Sequence, residues 1–280
     1  MKEMKDLSFY EILTYGTTRI QCISKNGSQS TGTGFFLYLN DFENPNEEPR
    51  PVIVTNKHVV RNADKGFLTL STLKGNKIQE TKHVQLPLSN FESYWIDHPD
   101  NSVDLCILNF NAIETLIRGS MGIELFYMPL LITMIPTEDS IKQFDAMEDV
   151  VMVGYPNGIW DSHNNKPIFR KGITATDYRI DYENRSEFLI DMAVFGGSSG
   201  SPVIYAWKGL KMKNGELYEH RDLQLLGICY AVFQHSAKGE LKTVEIPQAE
   251  KQTVVTGVPN NLGLVIKSGQ LHDFRKMFFS

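Results

Sequence analysis

The stretch Gly-Gly-Ser-Ser-Gly-Ser-Pro, residues 196–202, is the most informative segment of this 280-residue sequence. A nucleophilic serine needs its hydroxyl at a sharp turn, with backbone N–H groups free to face an anionic oxygen. Glycine permits the close approach and the unusual dihedral angles that such a turn demands. The pattern Gly-x-Ser-Gly-x-Pro therefore indicates Ser199 as a nucleophile and the N–H groups of Gly197 and Ser199 as oxyanion donors. The alternative is a flexible Gly/Ser loop between two strands.

A serine hydroxyl is a poor nucleophile until an adjacent base accepts its proton, and the sequence offers seven histidines. His58 directly follows the apolar run of residues 52–55, so it lies where a buried strand emerges into a turn and would be held rigidly. His98 and His163 have the surroundings of loop residues. We therefore expect His58 to be the base; the alternative at this position is a structural histidine.

The third group must be a carboxylate that fixes the histidine tautomer and stabilises the imidazolium ion. Asp104 opens the apolar run of residues 105–108, where an acid is costly unless it has a partner. The alternative for Asp104 is a solvated acid that caps the strand. Asp191, within the run 188–192, is the rival candidate. Because Asp191 lies only eight residues before Ser199 on the same segment, we interpret it as structural.

Short β-rich runs separated by turn residues dominate the chain, which is typical of barrels or sandwiches and not of alternating β-α units. We predict strands at residues 17–23, 34–39, 52–55, 67–72, 104–110, 150–153, 188–192, 203–205, 225–230 and 263–266. Helical periodicity is convincing only over residues 270–279. The mixed periodicity of residues 111–149 places the connection between two halves within that stretch. The sequence therefore predicts an all-β pair of barrels with a C-terminal helix.

The order His58, Asp104, Ser199 resembles that of the trypsin/chymotrypsin-fold serine peptidases, one of the chain orders in which this triad recurs. Further segments share the resemblance: Gly-Thr-Gly-Phe-Phe at 32–36, Val-Met-Val-Gly-Tyr-Pro-Asn-Gly at 151–158, Leu-Gly-Ile at 226–228 and Gly-Leu-Val-Ile-Lys-Ser at 263–268. The closer likeness is to the bacterial, disulfide-free branch that includes the protease domain of the HtrA (Deg) family. It covers the chain from about residue 15 to residue 275.

This resemblance implies two six-stranded antiparallel β-barrels of the chymotrypsin type, followed by a C-terminal helix. The expected units are an N-terminal barrel with His58 and Asp104 at 10–120, an inter-barrel connection at 121–149, and a C-terminal barrel with Ser199 and the helix at 150–280.

A substrate pocket is also implied by the resemblance, walled by residues just before the nucleophile, by the strand after it and by the strand before the final helix. The residues at those places are Ala193, Val194, Phe195, Tyr230, Ala231, Val232 and Gly263. Ala193 takes the position that is acidic in trypsin-like pockets, so a basic substrate side chain would find no partner, whereas an apolar one gains from burial. We therefore expect cleavage after small to medium apolar residues, unless His235 or Lys267 reaches the pocket and admits an acidic one.

Three features of the sequence depart from the family pattern. Too few residues follow Ser268 for the PDZ domain that HtrA proteins carry, so we expect none here. Ser201 stands where these families usually have glycine, a small change that the turn should tolerate. Lys57 directly precedes the proposed base, where its charge would either lower the basicity of His58 or point into solvent.

Charge and cysteine content narrow the function classes. Lys and Arg number 28 against 33 Asp and Glu, a net charge of −5, which gives no electrostatic footprint for nucleic acid or an anionic membrane. Cys22, Cys106 and Cys229 are widely spaced and form no CxxC pair, so we expect buried free thiols.

No metal or nucleotide motif is evident, so we expect no cofactor and no metal. The first residues do not read as a signal peptide and no run is long enough to span a bilayer, so we expect a cytoplasmic protein.

Two functions fit these observations. The first is a serine endopeptidase that cleaves protein or peptide substrates through an acyl-enzyme intermediate, with His58 acting first as base and then as acid. The second is a non-catalytic peptide-binding module on the same fold, whose signature would be a lost triad member. Because none is lost, we predict the enzyme. In trypsinogen-type activation, a newly cut N-terminal amine pairs with an acid that immediately precedes the nucleophilic serine. Ser198 takes that position here and carries no charge. We therefore expect control through ordering of residues 195–197 by substrate or by a regulatory partner protein.

Overall fold

Two β-structures, built from consecutive halves of the chain, make up the fold. The structure is a computed structural model that describes residues 7–40, 48, 50–213, 216–240 and 253–279. The strands of the first half are β1 Thr17–Ser24, β2 Gln29–Tyr38, β3 Pro51–Thr55, β4 Ala63–Lys74, β5 Lys77–Ser89, β6 Trp95–Asp97, β7 Cys106–Asn109, β8 Glu124–Phe126 and β9 Leu130–Leu131. Those of the second half are β10 Asp149–Gly154, β11 Ile168–Thr174, β12 Glu187–Asp191, β13 Pro202–Lys213, β14 Glu216–Glu240 and β15 Thr253–Lys267. The α-helices are α1 Phe9–Tyr15, α2 Lys57–Val60, α3 Phe110–Met121, α4 Glu138–Ile141 and α5 Leu271–Phe278.

The first half forms a nine-stranded sheet in which seven strands follow the order β5-β4-β1-β2-β3-β7-β6. Strand β8 pairs with β4, and β9 pairs in parallel with β2. Strand β3 is buried at every position because successive side chains point to opposite faces and both faces are covered. Val52 and Val54 enter one core, and Ile53 enters the other. This is why an uninterrupted apolar run marks the strand.

The second half closes into a six-stranded barrel in the order β10-β11-β12-β15-β14-β13. Its neighbouring strands are antiparallel. Phe188, Ile190 and Val203 are among the side chains that fill its interior. Strand β14 has 25 residues and pairs first with β13 and then with β15, so it extends beyond the barrel.

A single hydrophobic core joins the two halves. It contains Phe35 and Val54 from the first half, Val153 and Ile228 from the second, and Phe274 from α5, all fully buried. Burying one side chain of this size gains about 1.5–3 kcal/mol. This shared core holds the end of β3 close to the turn that precedes β13.

The structure confirms the predicted all-β class, the six-stranded second barrel and the C-terminal helix. Every predicted run overlaps an observed strand. The first half departs from the expected six strands because the short strands β6, β8 and β9 extend its sheet. Residues 121–149, expected as the connection, contain β8, β9 and α4.

Helix α3 was not predicted, although its buried residues Phe110, Ile113 and Ile117 have helical spacing. Leu116 and Met121 are apolar as well but exposed, so the apolar positions of the helix extend beyond the buried face and obscure that periodicity.

The described part of the chain contains no helix with the length and apolar character needed to cross a bilayer. Cys22, Cys106 and Cys229 are buried free thiols, as the sequence predicts.

Candidate active site

His58 and Asp104 lie side by side although 46 residues separate them in the sequence. His58 belongs to α2, which begins just after β3, and Asp104 lies in the loop that leads into β7. Because β3 and β7 are antiparallel neighbours, the end of β3 lies beside the start of β7, and the two residues meet there. Nδ1 of His58 lies 2.5 Å from Oδ2 of Asp104. The backbone N–H of His58 donates to Oδ1 of the same carboxylate at 3.1 Å.

The Asp104 carboxylate holds the His58 ring in one orientation. A carboxylate that accepts a hydrogen bond from Nδ1–H leaves Nε2 free to accept a proton. Asn56 holds the acid in turn, because its Nδ2 donates to the Asp104 backbone carbonyl at 2.8 Å. The side chains of His58 and Asp104 are 46% and 27% exposed, so substrate and water can reach the pair.

The Ser199 hydroxyl donates to the backbone carbonyl of Tyr230 at 3.3 Å. Within the described ranges, no hydrogen bond joins it to His58. Hydrogen bonds between nucleophile and base are often long or poorly aligned in free enzymes and tighten when substrate binds. In this structure the Ser199 hydroxyl is therefore directed to the Tyr230 carbonyl and not to His58.

Gly197 and Gly200 frame the serine turn, and both have left-handed backbones, with φ of +83° and +85°. A Cβ on Gly200 would lie 1.9 Å from the Thr33 carbonyl oxygen and 2.4 Å from Thr55 Oγ1. A Cβ on Gly197 would lie 2.6 Å from the Tyr155 carbonyl oxygen. Only glycine fits at these two positions, because Gly200 packs directly against the backbone of the first half and Gly197 against the turn after β10.

The N–H groups of Gly197 and Ser199 make no hydrogen bond to any described residue. Each of these N–H groups shares a peptide group with the carbonyl of the preceding residue, and that carbonyl accepts a hydrogen bond. The Gly196 carbonyl accepts from the Asn157 N–H at 2.5 Å, and the Ser198 carbonyl accepts from the N–H three residues further on at 3.0 Å. The C=O and N–H of a trans peptide point in opposite directions. These bonds therefore direct the N–H groups of Gly197 and Ser199 away from the donors that bind the two carbonyls. The turn can therefore offer two donors to an anionic oxygen.

The rival acid and the neighbouring lysine take other places. Asp191 is exposed at the end of β12, and no hydrogen bond links it to a histidine in the part of the chain that is described. Lys57 is buried, with 5% exposed, and its ammonium donates to the Asp100 backbone carbonyl at 3.3 Å. The alternative in which Lys57 points into solvent is therefore wrong. Its contact holds the loop that carries Asp104.

The predicted pocket residues lie on three segments. Ala193, Val194 and Phe195 connect β12 to β13, Tyr230, Ala231 and Val232 belong to β14, and Gly263 belongs to β15. Val232 and Gly263 pair across the two strands. Val194 is only 3% exposed, and its Cγ2 lies 2.8 Å from the point that a Cβ on Gly263 would occupy. Val194 therefore fills the space beside Gly263.

Two basic residues were considered as pocket cations. The Lys267 ammonium donates to Asp181 at 2.6 Å, so its charge already has a partner. The side chain of His235 lies outside the described part of the molecule. The guanidinium carbon of Arg170 lies over the Phe195 ring, 5.1 Å from the centre of that ring.

A cavity of about 350 Å³ opens beside Asp104 and Tyr230. Its polar lining includes Arg185, Glu187 and Gln270, and the Tyr230 hydroxyl donates to Glu187 at 2.9 Å. In the ranges described, no three His, Cys, Asp or Glu side chains converge as a metal ion would require.

Thr33 and Tyr155 contact the serine turn and were not singled out by sequence reasoning. Both lie in segments noted for their resemblance, 32–36 and 151–158. The available signal was a threonine between two glycines in the first segment. That pattern does not indicate what Thr33 binds, because the partners of its hydroxyl are backbone groups of the second half.

A family model described as a trypsin-like peptidase domain matches residues 32–207. No curated protein matches the chain. Among solved structures, the HtrA-type protease AlgW with a tripeptide is 14% identical with a TM-score of 0.48, and the match covers 95% of this chain and 61% of that one. The serine endoprotease from Yersinia pestis is 16% identical with a TM-score of 0.45, covering 91% and 60%. The tobacco etch virus protease is 11% identical with a TM-score of 0.49, covering 98% and 82%.

This chain therefore spans about six tenths of the length of the HtrA-type chain that it matches. At such identities and TM-scores, the structural matches carry no argument about substrate or mechanism. The family match is of a different kind, because it runs along the sequence through His58, Asp104 and Ser199.

Proposed function

Because this chain belongs to the trypsin-like peptidase family, we propose that it is a serine endopeptidase that cleaves protein substrates through an acyl-enzyme intermediate. One observation carries the proposal: Asp104, hydrogen bonded to His58, lines the same cavity as Tyr230, whose carbonyl accepts from the Ser199 hydroxyl, and the N–H groups of Gly197 and Ser199 have no partner among the described residues. Ser199 is the nucleophile, His58 the base and Asp104 the acid that orients it.

In the proposed mechanism, Oγ of Ser199 attacks the scissile carbonyl while Nε2 of His58 accepts the hydroxyl proton. The hydroxyl must first leave the Tyr230 carbonyl, which requires rotation about one side-chain bond. The N–H groups of Gly197 and Ser199 stabilise the negative charge on the substrate oxygen. His58 then protonates the leaving amine, and water hydrolyses the acyl-enzyme by the reverse sequence of proton transfers.

Small to medium apolar side chains suit the proposed pocket best. Val194 occupies the space beside Gly263, which limits the depth of the pocket. Ala193 provides no carboxylate for a basic side chain, and the charge of Lys267 is paired with Asp181. An apolar side chain gains about 25 cal/mol for each Å² removed from water, whereas an unpaired buried charge is costly.

The rotamer of Ser199 favours a second candidate, a latent enzyme or a peptide-binding module without activity. The hydroxyl donates to Tyr230 and is not engaged by His58. A latent enzyme would cleave peptides only once substrate or a partner protein turns the hydroxyl toward His58, whereas a binding module would hold extended peptides without cleaving them.

A fluorophosphonate probe separates the two candidates, because it reacts with an activated serine without needing a matched substrate. We expect the full chain to form one adduct, which mass spectrometry places on Ser199. Ser199→Ala should abolish the adduct and His58→Ala should nearly do so, while Asp191→Asn, an exposed acid on β12, serves as the control that keeps it. A wild-type protein that binds peptides but forms no adduct under any condition would refute the endopeptidase and leave the binding module.

A further inference from the structure

Thr33 connects the two halves of the molecule at the serine turn. It lies on β2 between two glycines and is fully buried. Its backbone N–H donates to the Ser199 carbonyl at 2.9 Å, and its carbonyl accepts from Thr55 Oγ1 at 2.7 Å. Any residue could form these backbone bonds, so they assign no role to the threonine side chain.

The Thr33 hydroxyl makes two further hydrogen bonds, one on each side of the proposed oxyanion hole. It donates to the Gly197 carbonyl at 3.0 Å and accepts from the Tyr155 backbone N–H at 3.0 Å. Tyr155 begins the turn whose Asn157 N–H holds the Gly196 carbonyl. One buried hydroxyl therefore ties the turn after β10 to the turn before β13.

We propose that Thr33 is a positioning residue for the oxyanion hole, a role that rests on the proposed peptidase function. Gly197 has no side chain and a left-handed backbone, so the peptide groups on either side of it rotate easily. The Asn157 N–H holds the carbonyl of the first peptide group, and the Thr33 hydroxyl holds that of the second. The Gly197 N–H belongs to the first peptide group, so its direction depends on the turn that begins at Tyr155, and the Thr33 hydroxyl holds that turn by accepting from the Tyr155 N–H.

Loss of the hydroxyl would leave the partly buried Gly197 carbonyl and the buried Tyr155 N–H without a partner. An unsatisfied buried polar group is costly, and a shift of the turn that begins at Tyr155 would relieve part of that cost. The same shift would move the Asn157 N–H that holds the Gly196 carbonyl, and so misdirect the Gly197 N–H, which shares a peptide group with that carbonyl. The pocket segments that would hold the ground-state substrate form no side-chain hydrogen bond to Thr33 within the described ranges. The loss should therefore fall on kcat and leave KM nearly unchanged.

Three variants test this role. Thr33→Val keeps the shape of the side chain and removes the hydroxyl, whereas Thr33→Ser keeps the hydroxyl. Thr18→Val is the matched control, because Thr18 is also fully buried, lies on the neighbouring strand β1 and donates to the Thr69 carbonyl at 2.9 Å, away from the serine turn. We expect Thr33→Val to lower kcat and the rate of fluorophosphonate labelling by about 10- to 100-fold, with KM changed by less than about threefold. Thr33→Ser should restore most of the rate, and Thr18→Val should label like the wild type.

A peptide boronate provides a second readout, because it forms a negatively charged tetrahedral adduct with a reactive serine. Thr33→Val should weaken its binding by about the same factor as it lowers kcat. The same peptide with a carboxamide in place of the boronate needs no oxyanion donor, so its affinity should not change. A purely structural role for Thr33 would weaken both ligands together.

Equal losses in Thr33→Val and Thr18→Val, or in Thr33→Val and Thr33→Ser, would overturn the proposal. A Thr33→Val protein that labels and turns over like the wild type would overturn it as well. Absence of labelling in the wild type would instead refute the peptidase function on which the proposal rests. If circular dichroism shows that Thr33→Val does not fold, Thr33→Ala removes the same hydroxyl without adding a methyl group and is judged by the same comparisons.

Discussion

The Asp104 carboxylate receives two hydrogen bonds from a single residue, one from the ring and one from the backbone N–H of His58. The backbone bond ties the start of α2 to the loop before β7, and the ring bond sets the orientation of the base. Acid and base are thus held by one local arrangement. Groups of this kind act as a unit, so that losing one forfeits most of what all of them contribute.

Ser199→Ala and His58→Ala should each lower kcat/KM by about 10⁴-fold or more, and the double variant should be hardly worse than either single one. Asp104→Asn should also be severe, because an amide can stabilise the wrong tautomer of His58. Steady-state kinetics on a peptide with an apolar residue before the scissile bond would measure these losses.

Asp191→Asn is the control for the acid, since Asp191 is exposed at the end of β12. It should keep near wild-type kinetics. A folded Asp191→Asn protein without activity, together with a fully active Asp104→Asn protein, would show that the acid has been misassigned.

The three thiols should play no part in the reaction. Burial raises the pKa of Cys22 and of Cys229 to about 12, and it raises that of Cys106 well above its usual value. The thiolate is the reactive form, and a raised pKa keeps these thiols protonated at neutral and mildly alkaline pH. We therefore expect iodoacetamide to leave both the folded protein and its activity unchanged, as read by mass spectrometry and peptide hydrolysis. Alkylation after unfolding should modify all three, and inactivation traced to one of them in the folded protein would contradict a serine nucleophile.

His58 and Asp104 could be proposed from the sequence because each lies where an apolar run meets a turn, and Ser199 could be proposed from the glycines around it. The partners of the Ser199 hydroxyl and of Thr33 could not, because those partners are backbone carbonyl and N–H groups. Every residue carries such groups, so the sequence holds no signal for them. Only the packing of one half against the other brings them within reach.

At the scale of strands, the proposed pocket depends on how β12, β14 and β15 lie against one another. Val194, just after β12, packs on Gly263 of β15, which itself pairs with Val232 of β14. A side chain at position 263 would collide with Val194, so the bare backbone of Gly263 is what lets Val194 pack inward. The length of the side chain at position 194 should therefore set the depth of the pocket.

Val194→Ala should shift the preferred residue before the cleaved bond from small side chains toward Leu, Met or Phe. Two methyl groups are removed, and each buried methylene-sized group is worth about 0.8 kcal/mol, or roughly fourfold in specificity. Cleavage-site profiling with a peptide library would measure the shift. Val150→Ala, a fully buried valine of the same barrel in β10, is the matched control, which should lose stability without changing the profile. An unchanged profile in Val194→Ala would rule out this wall of the pocket.

The turn after β10 is also tied to β1 through a buried cation. Arg19 is only 8% exposed, its guanidinium lies 4.2 Å from the ring centre of Trp160, and its Nη1 donates to Gln21 at 3.1 Å. No carboxylate pairs with it in the described part of the chain, and burial lowers its pKa. A buried cation without an anionic partner is costly, so the aromatic face supplies much of its stabilisation.

Arg19→Met and Trp160→Ala should therefore show coupled effects on the free energy of unfolding. Trp160→Ala alone leaves the cation buried without its ring, whereas in the double variant that charge is gone. We expect a coupling energy of about 1–2 kcal/mol in a double-mutant cycle measured by urea unfolding. Additivity within about 0.5 kcal/mol would mean that the stacked pair does not interact favourably.

For the whole molecule, the β class and the second barrel could be predicted because short β-rich runs bounded by turn residues are a local signal. The arrangement of the two halves could not, because it depends on one core built from residues far apart in sequence, such as Phe35, Ile228 and Phe274. Helix α1 belongs to the same class of unpredicted features. It has seven residues and little periodicity of its own, and it is held by contacts with the first sheet.

Removing residues 1–16 should destabilise the protein and should not activate it. Leu13 and Tyr15 are buried, the Tyr15 carbonyl accepts from Met128, and the Gly16 carbonyl accepts from Phe36. Losing two buried side chains costs about 3–6 kcal/mol, which should lower the melting temperature by roughly 10 °C or more. Calorimetry and the rate of fluorophosphonate labelling of the full and shortened chains measure the two effects, and Leu13→Ala, a point variant of the same helix, should reproduce part of the thermal loss with no gain in labelling. A shortened chain that labels faster than the full chain would mean that this segment restrains the active site, as a zymogen segment does, and would reverse the interpretation of α1 as part of the folded core.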